Sequence, residues 1–161
     1  SGDPITLDGL GVQQAMLACS SYENGLWVYD QSANELIRFD KNLSKSNQSS
    51  NTTQITGLVV QPSFMIEADG FVFLNDTANG VFIFDKYGSY YKLLPFKVLP
   101  SFQVTGEIVM YTKKSKLISY NFKNFEEKVL DLPGENIINA RYLKNSIVTQ
   151  DTSGIKIYSF D

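Results

Sequence analysis

Aspartate is the one chemically capable residue type that returns at fixed places in this chain. Asp30, Asp40, Asp76, Asp85, Asp151 and Asp161 stand at the turn-facing ends of short apolar runs. A ring of such carboxylates could hold calcium, since hard cations take oxygen ligands. Aspartate after a strand also accepts hydrogen bonds from the backbone N–H groups that follow and so fixes a turn. Repetition at the same place of each unit favours the turn device, so neither a metal site nor a cofactor is expected. Histidine is absent, which removes the commonest general base and the commonest metal ligand together. Cys19 is the only cysteine, so no intrachain disulfide or thiolate zinc site can form. A small buried side chain is the expected role for it.

The other candidates are sparse. Trp27 and Tyr29 alternate along one run and could stack a sugar, but the apolar residues at matching places of the other units point to packing. Glu67 and Arg141 are the ionisable residues expected on inner strands, too few for an acid and a base to converge. Glu126-Glu127 reads as a solvated turn. Asn42, Asn47, Asn51 and Asn75 open glycosylation-type triplets within polar turns, where such matches arise by chance. No P-loop, dinucleotide fingerprint, nucleophile elbow or metal-ligand motif is present. Catalytic residues are therefore assigned to none, and ligand-binding residues cannot be named from the sequence.

These residues ride on a repeat. Gly25–Asp40 (GLWVYDQSANELIRFD) and Gly70–Asp85 (GFVFLNDTANGVFIFD) align over sixteen positions without a gap. Gly106–Asn121 and Ser146–Asp161 keep the frame. The late aromatic of each phrase, Phe39, Phe84, Tyr120 and Phe160, returns after 45, 36 and 40 residues. A period near 40 built of short strands marks a β-propeller blade. Runs such as Phe71-Val72-Phe73-Leu74 do not alternate, as expected of strands buried on both faces. The fold expected is all-β, a single propeller domain over 1–161 of four four-stranded antiparallel blades at about 14–55, 63–96, 101–132 and 139–161. Helix signals are poor. The polar stretch 44–53 reads equally as a loop or as an edge strand in solvent. The fourth unit lacks an outer strand of its own, and residues 4–8 are expected to supply it. The four blades then form either a closed ring or one arc of a larger propeller. An open arc would bare apolar faces, so self-association is the expected alternative to closure.

Bulk composition narrows the function classes. The 43% hydrophobic fraction over 161 residues permits a substantial core. A net charge of −3, with scattered lysines apart from Lys113, Lys114 and Lys116, argues against nucleic-acid binding. No run is long and apolar enough to span a bilayer. Ser1-Gly2 resembles the pair left by a cleaved tag, so a native N-terminus further upstream is expected.

Val28–Asp40 and Phe73–Asp85, each a strand, an Asp/Asn-rich turn and a strand closing on Phe-Asp, resemble the NHL-type propeller repeat. Leu17-Ala18-Cys19-Ser20-Ser21, Leu36–Asp40 and Gly88–Lys92 resemble stretches in the C-terminal part of exported bacterial propeller proteins that carry no assigned activity. That resemblance implies a periplasmic or cell-envelope location and further blades upstream. The function expected is a non-catalytic binding or scaffold module of the bacterial envelope, with a protein or a glycan as partner. The alternative is a carbohydrate-active enzyme, a lyase or glycosidase using carboxylates at the propeller channel.

Overall fold

A computed structural model describes residues 4–97 and 99–159. Phe160 and Asp161, which close the fourth phrase, lie outside the described residues. The chain divides into two compact units, residues 1–100 and 101–161.

The first unit holds two four-stranded antiparallel meanders. The first sheet is β1 (Ala15–Ser21), β2 (Gly25–Asp30), β3 (Glu35–Phe39) and β4 (Lys45–Gln48). The second is β5 (Phe64–Ala68), β6 (Phe71–Asp76), β7 (Gly80–Asp85) and β8 (Tyr90–Leu94). Asp69 and Gly70, with φ of 49° and 81°, make the two-residue turn between β5 and β6 that the Asp-Gly pair predicts. Side chains on β2, β3, β6 and β7 are buried on both faces, which is why the sequence there is continuously apolar. Trp27, Tyr29 and Leu36 of the first sheet meet Met65, Val72, Leu74, Phe82 and Phe84 of the second in one core.

The opposite face of the first sheet is covered by the N-terminal segment, and this corrects an expectation. Residues 4–7 form no strand, and Asp8–Leu10 winds as a single 3-10 turn ended by Gly11 at φ 79°. Leu7, Leu10 and Val12 pack on Leu26, Val28, Ile37 and Phe39. The segment therefore shields an apolar face instead of forming a strand, burying Val12 and part of Leu7 and Leu10.

The ungapped alignment of the first two phrases is also corrected. Leu26 pairs with Phe39, whereas Val72 pairs with Phe84. The matching residue of β2 for Asp76 is thus Asp30, and the hairpin turn shortens from residues 31–34 to residues 77–79. The polar stretch 44–53 is ordered as the short strand β4 followed by the start of a helix, α1 (Thr52–Thr56). Asn51 caps α1 by accepting from Gln54 N at 3.0 Å, a signal hidden in a uniformly polar run.

The second unit holds β9 (Gln103–Thr105), β10 (Ile108–Lys113), β11 (Lys116–Asn121) and β12 (Glu127–Asp131) in one four-stranded sheet. Its other sheet has three strands, β13 (Asn139–Leu143), β14 (Ser146–Asp151) and β15 (Gly154–Ser159). The expected fourth strand is not present among the described residues, and Ile155 and Ile157 on β15 are 70% and 68% exposed. Met110 and Leu117 pack with Leu132, Ile137, Ala140 and Ile147 between the two sheets.

Candidate functional site

The five recurring aspartates among the described residues all accept hydrogen bonds from backbone N–H groups. Asp30 accepts from Gln13 N (2.8 Å), Gln14 N (3.1 Å), Ser32 N (3.0 Å) and Ala33 N (3.4 Å). Asp76 repeats the pattern with Gln61 N (2.8 Å), Ala78 N (2.8 Å), Asn79 N (3.0 Å) and Asn79 Nδ2 (3.1 Å). Burial alone would raise both carboxyls, but the convergent N–H donors outweigh it and hold each below its ordinary pKa. Asp40 and Asp85 form a second matched pair, each accepting from the amides two and four residues on. Asp151 accepts from Ser153 N and Gly154 N and pairs with Lys156, which holds its carboxyl well below the usual range. Among the described residues no three of Cys, Asp and Glu gather as metal ligands could.

The remaining candidates disperse. Trp27 and Tyr29 are fully buried, so neither offers a sugar platform. The Tyr29 hydroxyl contacts Thr52 Oγ1 at 3.1 Å and Val60 O at 3.2 Å. Burial pushes the Cys19 thiol up to about 11, with the Glu67 charge adding to the rise, so thiolate is scarce at neutral pH. Glu67 takes a long bond from Tyr22 N in the first unit, and Arg141 donates to Ser101 Oγ in the second, so they belong to different units. Glu126 pairs with Lys128 on the surface.

What the sequence did not single out is the space beside each core. In the second unit a cleft of about 430 Å³ opens between the sheets, lined by Ile108, Met110, Leu117, Leu130 and Tyr142 among others. β12 along its rim is exposed at every residue, including Val129 and Leu130. At the matching register of the first unit stands a larger side chain, Trp27, where the second unit has Met110. Arg38 was also missed, although a charge inside Leu36-Ile37-Arg38-Phe39 was a readable anomaly.

No protein-family model matches the sequence, and no curated protein matches it either. Solved structures do. PorZ, a bacterial surface component of the type-IX secretion system of Porphyromonas gingivalis, superposes with a TM-score of 0.68 at 9% identity, over 94% of this chain and 22% of its own. The extracellular domain of BT4673 from B. thetaiotaomicron gives 0.58 at 12% identity over 92% and 20%. Streptogramin B lyase gives 0.52 at 16% identity over 88% and 53%. The chain spans about a fifth of the first two and about half of the third. At these identities the likeness defines the fold: the sheets are β-propeller blades.

Proposed function

We propose that this chain is a non-catalytic binding or scaffold module of the bacterial cell envelope, and that the cleft of the second unit takes an extended apolar polypeptide segment. One contrast carries the reading. The two buried aspartates, Asp30 and Asp76, are held by converging N–H donors, whereas the open cleft is lined mainly by aliphatic and aromatic side chains. A polypeptide suits that lining better than a glycan, which needs planar polar groups around an exposed ring. PorZ and the BT4673 domain, described as a surface component and an extracellular domain, support an envelope setting. No helix of the described residues is long and apolar enough to cross a membrane.

Selection from a displayed peptide library tests the proposal. Hydrophobic peptides should be enriched, and Leu130→Lys should weaken them at least about tenfold while the fold is kept. Enrichment of nothing, together with release of reducing ends from a polysaccharide panel, would favour the competing reading of a carbohydrate-active enzyme.

A further inference from the structure

Arg38 departs from the repeat at a single register position. It lies opposite Trp27, where the other three sheets place Ile83, Ser119 and Ile157 opposite Phe73, Met110 and Val148. Only 4% of its surface is exposed. Its Nε donates to Ser21 Oγ at 2.8 Å, Nη1 to Ser46 Oγ at 2.9 Å and Nη2 to the Tyr22 carbonyl at 2.8 Å. The guanidinium also covers the Tyr22 ring at 3.8 Å. All these partners are neutral. No carboxylate forms an ion pair with Arg38 among the described residues. A buried cation without a counter-ion is costly, and two of its five N–H donors remain unused.

The surroundings are adapted to that cation. A Cβ on Gly25 would stand 2.7 Å from the Phe39 carbonyl oxygen and 3.0 Å from Arg38 Nη2, so the guanidinium rests against a bare Cα. Sister sheets carry Phe71, Ile108 and Ser146 there. Glu23 and Asn24 both adopt positive φ, 56° and 59°, an unfavourable conformation held at the mouth of the site. Beside them lies a pocket of about 410 Å³ lined by Glu23, Asn24, Arg38, Asp40 and Lys41.

We propose that this pocket binds a small zwitterion of amino-acid type, its carboxylate on Arg38 and Lys41 and its ammonium toward Glu23 and Asp40. The lining holds two cationic and two anionic side chains, so a ligand carrying both signs meets no net repulsion. A carboxylate matches the planar donors of a guanidinium. Phosphate would be opposed by Glu23 and Asp40, and a sugar would find the Tyr22 face already covered. Asp40 spends Oδ1 on Asn42 N and Ser44 N and keeps Oδ2 for an ammonium.

Backbone amide shifts of the full chain, titrated separately with glycine, L-alanine, L-lysine, acetate, methylamine and inorganic phosphate, test the assignment. Saturable shifts at Asn24 and Gly25 are expected with the amino acids, with acetate and methylamine each about tenfold weaker or worse. Arg38→Leu should abolish the response. Should that variant fail to fold, Glu23→Gln on the exposed rim should weaken the amino acids several-fold and leave acetate no weaker. Acetate or phosphate binding as tightly as the amino acids would overturn the proposal, as would the absence of any saturable shift, or indifference to Glu23→Gln.

Discussion

Asp30 and Asp76 stand at the same register position of consecutive sheets, and each ties the segment entering its own sheet to the turn that follows β2 or β6. Gln13 and Gln61 donate to one carboxylate oxygen at the same 2.8 Å in the two sheets. Two residues forty-six positions apart thus perform one structural task.

Removing either carboxylate should be expensive. Asp76→Ala deprives four donors of their charged acceptor, and a loss of about 2–4 kcal/mol is expected in urea unfolding. Asp76→Asn should retain part of it. A loss under about 0.5 kcal/mol would mean that water replaces the carboxylate without cost.

Acid should find the same two residues. Both folded-state pKa values lie below the unfolded ones, so their stabilisation is complete above the unfolded value near about 4 and is lost as pH falls through the folded values. The wild-type unfolding free energy should fall steeply below that point. In an Asp30→Asn, Asp76→Asn double variant the acid limb should be shallower, and identical limbs would refute the linkage.

Chelation should change nothing. The buried aspartates, Asp30 and Asp76, are engaged by N–H groups through both oxygens, so thermal melts with and without a strong chelator should coincide. A drop of many degrees would restore the calcium reading.

Trimming the N-terminus should damage the face, and leave the edges alone. Deleting residues 1–12 removes Leu7, Leu10 and Val12 from Val28, Ile37 and Phe39, so the variant should bind a hydrophobic dye and melt earlier. An unchanged melt would show that this cover contributes little.

Much of the fold was legible because its signals are local. Continuous apolar runs such as Phe71–Leu74 and Val81–Phe84 announce strands buried on two faces, and Asp69-Gly70 announces the hairpin. The aspartates were legible as turn devices for the same reason. Three features escaped. The one-residue slip between the first two sheets depends on turn length, which pairing reveals and composition does not. The covering role of residues 7–12 is a long-range packing choice with no periodic signature. The apolar cleft arises from which side chain faces which across neighbouring sheets, as where Met110 replaces Trp27, and the charged pocket from turns that meet at one end of the first sheet. Arg38 could have been noticed as a charge in an apolar run, but its solitary burial appears only in three dimensions.

The Asp30 clamp also has a temporal side. Gln13 and Gln14 lie outside any strand, on a connecting segment whose amides would ordinarily trade their hydrogens with solvent almost freely. Both amides are instead pinned to a carboxylate that is itself 1% exposed. Their release requires the contact with Asp30 to break, so these two loop hydrogens should persist in heavy water longer than those of an unpinned connecting segment. A measure of protection is thereby extended to two residues that carry no regular structure of their own.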